Sequence, residues 1–304
     1  MTAASAQRLE AALPFGAVAA REPLPHDGQS GATLERVTLA DGTRLVLKHA
    51  TVGGDWLGRA SNDDGREARL WLDGTLGRLP AHVDTAIVAA ERDESSYVLA
   101  MRDVSDALLP TGPIDRATTR RLFSAIAAVH REFAGSVPDG LLSLEDRLRI
   151  PAPATLREED AHIPRAILAG WRRLAEHAPD DVADAVAAIH ADPTDLARDL
   201  ARGELTLVHG DFRPANLGVT QDAVIVLDWS VAGPAPPEME LPWMLLTTPT
   251  ATEDDVIEDF RGASGDLLDE TRLRLAILAG LAHVGCHATG AKLDWWIERA
   301  REAL

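Results

Sequence analysis

The sequence predicts an α+β fold with a small N-terminal lobe built on an antiparallel sheet and a larger, mainly helical C-terminal lobe. Short β-like runs and turns occupy roughly the first hundred residues, and helical periodicity dominates from Arg102 onward. A chain of 304 residues also favours two lobes over a single core. We therefore expect one lobe over 1–101 and the other over 102–304, with a connector at 99–104.

The N-terminal lobe is predicted to contain a five-stranded sheet. Its β-like runs lie at 33–39, 43–49, 85–90 and 96–101. Asp41 and Gly42 join the first two runs, and this pair is a strong signal for a tight hairpin. Lys48 consequently lies near the end of a strand.

A turn of small residues at 26–33 precedes the hairpin and contains Gly28, Ser30 and Gly31. The amides of such a turn could approach a phosphate group. An ordinary hairpin turn explains the same residues, because the segment is neither a Walker A loop nor a full Gly-x-Gly-x-x-Gly motif.

A helix is predicted after the hairpin, with Asp63 or Asp64 as its cap. Glu67 shares a helix face with apolar residues, and a carboxylate on a buried face needs a partner. Lys48 is the candidate partner. The alternative is a solvated acid beside the neighbouring arginines.

Helical patterns in the C-terminal lobe cover about 115–133, 156–178 and 180–202. Pro179 separates the second from the third. His130 lies within the apolar stripe of the first helix. We interpret it as a hydrogen-bonded core histidine, since no acid or nucleophile accompanies it in the sequence.

Polar residues follow two buried strands further along the chain. Asp211 and Asn216 come after the apolar run Leu205–Val208, and Asp228 ends the run Val224–Leu227. This spacing suits phosphoryl transfer, in which one acid orients a hydroxyl and oxygen ligands hold Mg²⁺. In the alternative interpretation, the aspartate and asparagine only cap or bend the backbone of a turn.

The segment His209–Asn216, which reads His-Gly-Asp-Phe-Arg-Pro-Ala-Asn, together with the later pair Asp228-Trp229, resembles the catalytic loop and metal-binding segment of the aminoglycoside phosphotransferase and choline kinase-like family. The members of this family are small-molecule relatives of the protein kinases. The resemblance implies a bilobal protein kinase-like fold whose N-terminal lobe binds the nucleotide, and it implies that ATP or GTP is the phosphate donor.

The resemblance also implies roles for individual residues. Asp211 would be the catalytic residue that orients or deprotonates the acceptor hydroxyl, and Asn216 and Asp228 would hold Mg²⁺. Lys48 would neutralise the α and β phosphates, with Glu67 positioning it. The cofactor-binding set expected from the resemblance and the small-residue turn contains Lys48, Glu67, Gly28, Ser30, Gly31 and Met101, the last of these beside the adenine.

Other residues near the catalytic loop have supporting roles under the same resemblance. His209 is better placed to hold loop backbone than to transfer a proton, and Glu240 supports the loop where the family more often has aspartate. Arg213 could lie near the transferred phosphate, neutralise the acidic loop, or be a solvated surface residue. The chain lacks the Asp-Phe-Gly and Ala-Pro-Glu motifs and the long activation segment of a protein kinase, which favours a small-molecule acceptor.

Composition limits the partners. The formal net charge is −18 and there is no long Lys/Arg block, so a nucleic-acid or anionic-membrane surface is not expected, and a cationic small molecule is an easier partner. The single cysteine, Cys286, excludes an intrachain disulfide and fits the cytoplasm. There is no signal-peptide pattern or apolar run long enough to span a membrane. Oligomeric state is not determined by the sequence.

The C-terminal helices are expected to form the acceptor pocket. Candidate wall residues are Glu253, Asp254, Asp255, Glu258, Asp259, His283, His287, Trp295 and Trp296. The acids would suit an aminated acceptor, although the pattern itself favours a solvated amphipathic helix. His283 and His287 are four residues apart, but without a third ligand they do not predict a metal site.

The predicted function is transfer of the γ-phosphate of ATP or GTP to a hydroxyl of a small molecule such as an aminoglycoside, amino sugar or amino alcohol. Three alternatives remain open: a nucleotide-binding regulator without catalysis, a metal-dependent phosphohydrolase that uses His209, Asp211 and Asp228, and a protein kinase.

Overall fold

The structure, a computed structural model, describes residues 7–8, 10–25, 31–110, 114–157, 159, 161–247 and 252–304. The chain divides into two compact units, here called the first unit (Met1–Leu108 with Gly218–Ser230) and the second unit (Leu109–Leu217 with Val231–Leu304). The assignment of nucleotide binding to 1–101 and of acceptor binding to 102–304 stays a prediction.

The strands are β1 Val18–Pro23, β2 Thr33–Leu39, β3 Arg44–Thr51, β4 Val83–Asp84, β5 Ile87–Arg92, β6 Ser96–Arg102, β7 Thr206–Val208, β8 Leu217–Val219, β9 Val224–Val226 and β10 Gly233–Ala235. The helices are α1 Trp56–Ala60, α2 Arg66–Leu72, α3 Arg116–Phe133, α4 Leu144–Arg149, α5 Pro153–Leu156, α6 His162–His177, α7 Asp180–Ala191, α8 Thr194–Leu200, α9 Leu241–Thr247, α10 Glu253–Ser264, α11 Glu270–Val284 and α12 Gly290–Arg301.

The first unit is built on an antiparallel sheet in the order β1-β2-β3-β6-β5. The predicted hairpin between β2 and β3 is confirmed, and Gly42 takes the positive φ of 88° that its turn requires. β1 has no counterpart among the predicted runs, because every residue of this edge strand is exposed and no hydrophobic alternation marks it. β3 is a central strand, and its register sets Lys48 opposite Leu34 of β2 and Leu99 of β6.

Helix α2 follows the hairpin, as predicted, and begins at Arg66. Asp63 rather than Asp64 binds its first amides, because Asp63 Oδ1 accepts hydrogen bonds from the N–H groups of Gly65 (3.1 Å) and Arg66 (2.8 Å). A smaller sheet also belongs to this unit, in which β9 runs parallel to β4. The pairing joins Val224 and Ile225 of β9 to β4, and Asp228 follows two residues after the end of β9.

The second unit is mainly helical. Its core includes Leu148 of α4, Leu200 of α8, Val208 of β7 and Ala279 of α11. β7 pairs antiparallel with β10, and the catalytic-loop sequence begins directly after β7. Among the described residues, no helix is long and apolar enough to cross a membrane.

Two predicted helix boundaries in this unit are wrong, and prolines explain both. The expected helix at 156–178 begins only at His162, because Pro164 lacks an N–H and is tolerated in the first turn but not in the interior. The expected helix at 180–202 is interrupted between Ala191 and Thr194. Asp192 is extended there (φ −151°, ψ 102°), as a residue before a proline prefers.

Candidate active site

Lys48 lies between two carboxylates of the first unit. Its Nζ atom donates to Glu67 Oε2 at 2.8 Å and to Asp228 Oδ1 at 3.0 Å. The Lys48 and Glu67 side chains are 9% and 1% exposed, whereas the Asp228 side chain is 34% exposed. The ion pair that the sequence predicts between Lys48 and Glu67 is therefore present. Burial alone would lower the pKa of Lys48, but the charges of Asp228 and Glu67 raise it well above its usual value.

Asp228 has an unusual backbone conformation. Its φ of 64° lies in the left-handed region, which costs a residue with a Cβ about 1 kcal/mol and is most accessible to glycine, asparagine and aspartate. The next amide, Trp229 N–H, donates to Glu67 Oε1 at 3.2 Å. Glu67 therefore binds both Lys48 and the backbone that carries Asp228, a second role that the sequence did not reveal.

The turn of small residues at 26–33 is described only from Gly31 onward, so Gly28 and Ser30 lie outside the described residues. The Gly31 N–H donates to Asp55 Oδ2 at 2.9 Å, and Asp55 Oδ1 caps α1 by accepting from Gly58 N–H at 2.7 Å. Asp55 was missed by the sequence analysis, although its position three residues before Gly58 and directly before α1 marks it as an N-cap.

Met101 is buried in β6, with Val46 of β3 and Ile87 of β5 as its cross-strand partners. Its predicted contact with an adenine ring stays a prediction. Tyr97, from the same strand, lines a cavity of the first unit together with Lys48 and Asp228. Burial raises the pKa of the Tyr97 hydroxyl.

The second unit contains Asp211 and Asn216, two further residues that the sequence analysis singles out. Asn216 Nδ2 donates to Asp211 Oδ2 at 2.7 Å and to the Asp211 carbonyl at 2.9 Å. Because the nitrogen of this amide faces Asp211, its oxygen remains the atom suited to a metal ion. Arg213 Nε lies 2.9 Å from Asp211 Oδ1, and the Arg213 guanidinium stands 5.1 Å over the Trp243 ring. Arg213 is thus tied to Asp211 rather than being a simple surface residue.

Glu240 holds the backbone of the loop. Its two carboxylate oxygens accept from the N–H groups of His209 and Gly210, each at 2.9 Å, and Oε2 also lies 3.1 Å from His130 Nε2. His130 is therefore a hydrogen-bonded core histidine, as predicted. Burial favours the neutral form of Glu240, but the hydrogen bond from His130 and the nearby charges leave its pKa below the usual value.

This arrangement predicts a pH-dependent contribution to stability. A carboxyl whose folded pKa is depressed stabilises the fold above its unfolded pKa, near 4.5 for Glu240, and the contribution is lost as the pH falls through the lower folded value. We expect Glu240→Gln to lower the free energy of unfolding by about 3 kcal/mol at pH 7 and by less near pH 3. Urea unfolding at both pH values measures this, with Glu298→Gln, an exposed acid, as control. An equal loss at both pH values would contradict the charge assignment.

Gly210 lies against a buried arginine that the sequence analysis missed. The Arg147 side chain is fully buried and donates to the Val231 carbonyl at 2.8 Å. A Cβ at Gly210 would overlap the Arg147 guanidinium, and Gly210 has a φ of 82°. No local sequence pattern predicts this contact, because Arg147 looks like an ordinary polar helix residue.

We expect Gly210→Ala to lower the free energy of unfolding by about 3 kcal/mol, since it adds both overlap and backbone strain. Gly262 of α10 is the matched control, because a Cβ there meets nothing within 4 Å. Gly262→Ala should raise stability by about 0.5–1 kcal/mol, as expected for a helix interior. Thermal or urea unfolding of the two variants compares the sites, and similar stabilities would contradict the predicted overlap.

The predicted acidic wall of the acceptor pocket is neutralised within the second unit. Ion pairs join Asp255, Glu258 and Asp259 to Arg116, Asp254 to Arg299, and Glu253 to Lys292. Trp296 is completely buried, so it cannot line a pocket. These residues therefore give no support to an amine-binding wall, and the solvated-helix alternative fits the acids better.

The two candidate histidines also differ in setting. α11 ends at Val284, so His283 lies in its last turn and His287 in a separate turn that follows. Burial and the nearby charge of Arg147 lower the pKa of His283 to about 3. The ring centroids of His287 and Trp243 are 5.9 Å apart. The sequence analysis did not single out Trp243. Within the described part of the chain, no three His, Cys, Asp or Glu side chains are grouped to hold a metal ion.

The chain is similar to one protein family and to several solved structures. The model of the phosphotransferase enzyme family (APH) matches residues 22–277. No curated protein matches the chain. Similar solved structures include a candidate fructosamine-3-kinase from Thermobifida fusca, at 22% identity and TM-score 0.52, with 99% of this chain and 98% of that chain covered.

Two further structures are similar over nearly their whole length. The choline kinase LicA from Streptococcus pneumoniae is 16% identical at TM-score 0.58, with 99% of this chain and 97% of that chain covered. The aminoglycoside phosphotransferase APH(4)-Ia, in a ternary complex with ADP and hygromycin B, is 17% identical at TM-score 0.55, with 99% and 98% covered. At these identities the likeness shows the fold, and the predicted protein kinase-like fold is confirmed.

Proposed function

The chain belongs to the phosphotransferase enzyme family, whose model matches residues 22–277, and we propose that it transfers the γ-phosphate of ATP or GTP to a hydroxyl of a small molecule. The observation that carries this proposal is the cluster of Lys48, Glu67 and Asp228. A buried ammonium between a buried and a partly exposed carboxylate suits the phosphates and the metal ion of a nucleotide.

On the donor side, Lys48 neutralises the α and β phosphates and Glu67 orients it. Asp228 and Asn216 hold Mg²⁺, and their hard oxygen donors fit that ion. The metal, when bound, offsets the charge of the triphosphate. Gly31 contributes its amide to a phosphate if the nucleotide replaces Asp55 as the acceptor of that N–H, and APH(4)-Ia, which was solved with ADP, supports a nucleotide donor.

On the acceptor side, Asp211 accepts a hydrogen bond from the hydroxyl and takes its proton as the hydroxyl oxygen bonds to the γ-phosphorus. The bond between that phosphorus and the β–γ bridging oxygen breaks, and the nucleoside diphosphate leaves. Asn216 fixes one carboxylate oxygen and Arg213 lies against the other, so the orientation of Asp211 is set before an acceptor arrives. Positioning and electrostatics carry the rate in this class of reaction.

The acceptor is a hydroxylated small molecule. The similar structures include a choline kinase, a candidate fructosamine kinase and an aminoglycoside phosphotransferase bound to hygromycin B. A cationic acceptor stays open, although the acids that suggested it are paired with arginine and lysine. We place the reaction in the cytoplasm, which suits an ATP-dependent enzyme whose only cysteine, Cys286, is an unpaired buried thiol.

A metal-dependent phosphohydrolase is the second candidate, and His209 bears on it. A hydrolase would use His209 as a metal ligand or base, whereas His209 Nδ1 accepts from the Asp211 N–H at 3.2 Å. That contact engages the Nδ1 atom of His209 within the loop. It therefore favours a support role and weakens the hydrolase alternative.

The test is an acceptor screen with γ-labelled ATP and GTP in the presence of Mg²⁺. The panel comprises amino sugars, amino alcohols, aminoglycosides and fructosamines. We expect label to appear in a phosphate ester of one acceptor class. Acceptor-independent release of labelled inorganic phosphate would indicate the hydrolase, and nucleotide binding without turnover across the panel would indicate a regulator.

A further inference from the structure

Arg66, the first residue of α2, is a buried arginine with an unusual set of partners. The residue is 3% exposed. Its Nη1 atom donates to the Ser230 carbonyl, and Nη2 donates to the Ser61 carbonyl at 3.0 Å. The carboxylate oxygen Asp63 Oδ1 lies 3.8 Å from Arg66 Nη1, beyond hydrogen-bond distance. The guanidinium is therefore used chiefly to bind backbone carbonyl groups.

One of these carbonyls lies two residues beyond Asp228. Glu67, the neighbour of Arg66, accepts from the Trp229 N–H, so it fixes the peptide group directly after Asp228. Arg66 fixes the peptide group after Ser230. The first turn of α2 thus supplies an acceptor for one amide and a donor for one carbonyl of the same short segment.

The segment needs such support because Asp228 has a left-handed backbone, with φ at 64°. A conformation of this kind persists when surrounding contacts over-determine it. Lys48 holds the Asp228 side chain at 3.0 Å, but a side-chain contact alone leaves the following backbone able to rotate. Arg66 and Glu67 remove that freedom.

The chemistry of the position favours arginine. Burial lowers the pKa of Arg66, so the fold bears an electrostatic cost for keeping a cation here. A guanidinium presents several N–H groups in a rigid plane and can bind two separate carbonyls at once, which the single ammonium of lysine does less well. An arginine kept for packing alone would not require two carbonyl partners.

We propose that Arg66 is a positioning residue for Asp228. Arg66 acts through the backbone of Trp229 and Ser230 and thereby sets the affinity for Mg²⁺ and nucleotide. The inference rests on the proposed function, in which Asp228 holds the metal. It assigns Arg66 no contact with nucleotide or metal.

The test compares Arg66→Gln and Arg66→Lys with Arg69→Gln in the full chain. Arg69 lies on the same helix, its side chain is 29% exposed, and it pairs with Asp64 at 3.3 Å. Its replacement removes a similar charge and leaves the bonds from Arg66 to the Ser61 and Ser230 carbonyls in place. Calorimetric titration with ADP at a series of Mg²⁺ concentrations gives the Mg²⁺ requirement. We expect Arg66→Gln to raise the Mg²⁺ concentration for half-maximal ADP binding about 10-fold, Arg66→Lys to be intermediate, and Arg69→Gln to stay within about 2-fold of wild type.

The outcomes separate this inference from the proposed function. Wild-type protein that binds no Mg²⁺-dependent nucleotide would contradict the proposed function and this role with it. Suppose instead that wild type binds nucleotide with Mg²⁺ and that folded Arg66→Gln has the same Mg²⁺ requirement. That result would overturn the role of Arg66 and leave the proposed function standing. If Arg66→Gln does not fold, Arg66→Lys decides, because an unchanged Mg²⁺ requirement in that variant likewise overturns the role.

Discussion

Replacing Asp211 with asparagine is expected to reduce phosphoryl transfer by about 10²–10⁴-fold, the range typical for loss of a general base, while nucleotide affinity changes little. Asparagine keeps the size of the side chain but cannot take a proton from a hydroxyl. The donor cluster of Lys48, Glu67 and Asp228 belongs to the first unit, and an asparagine at position 211 can still accept the hydrogen bond from Asn216 Nδ2 through its amide oxygen. Binding and transfer should therefore separate in this variant.

The measurement pairs steady-state transfer to the acceptor found in the screen with ADP affinity determined by calorimetry. Asp222→Asn is the matched control, because Asp222 is an exposed aspartate in the turn between β8 and β9. Near-normal turnover in Asp211→Asn would reject the base assignment. A parallel loss of ADP binding would instead indicate that Asp211 supports the fold or the donor site.

The donor half of the site was largely predictable from local patterns. A tight-turn signal at Asp41-Gly42 and strand periodicity placed Lys48 on a strand, and helix periodicity placed Glu67 on a buried face. A carboxylate on a buried face needs a partner, and the family resemblance favoured Lys48, whose Nζ lies 2.8 Å from Glu67 Oε2. The contributions of Arg66 and Asp55 were not predictable in this way, because their partners are backbone groups rather than opposite charges.

Long-range partners explain what the sequence could not show in the second unit. Arg147 looks like a solvated helix residue, yet it is buried beneath Gly210, 63 positions later in the sequence. His130 was recognised as a core residue, but its partner Glu240 lies 110 residues away. The acidic run at 253–259 has its ion-pair partners mostly at Arg116 and Arg120, so charge patterning within the run could not reveal its neutralisation.

Two prolines in the sequence mark helix boundaries that the predictions did not take into account. Pro164 and Pro193 set helix boundaries that the periodicity of apolar residues alone placed wrongly. Because alanine-rich segments satisfy a helical pattern in nearly any register, hydrophobic periodicity is a weak guide to where such helices begin and end. The breaker residues are the better guide there.

Asp228→Asn is expected to weaken Mg²⁺-dependent nucleotide binding by more than about 100-fold, since it removes the carboxylate proposed as the main metal ligand. Asparagine is the informative substitution because it tolerates the left-handed conformation, with φ at 64°, whereas alanine would add backbone strain to the loss of charge. Lys48 retains Glu67 as a partner in this variant, so the buried ammonium is not left unpaired.

The experiment measures ADP affinity at several Mg²⁺ concentrations and without the metal, again beside Asp222→Asn. Asp228→Asn should retain the weak affinity that wild type has without Mg²⁺ and should gain little when the metal is added. That pattern follows because Lys48 still attracts phosphate while the metal loses its principal anionic ligand. An unchanged gain from Mg²⁺ would reject the metal role of Asp228. A loss of the metal-free affinity as well would mean that Asp228 acts mainly by holding Lys48 in place.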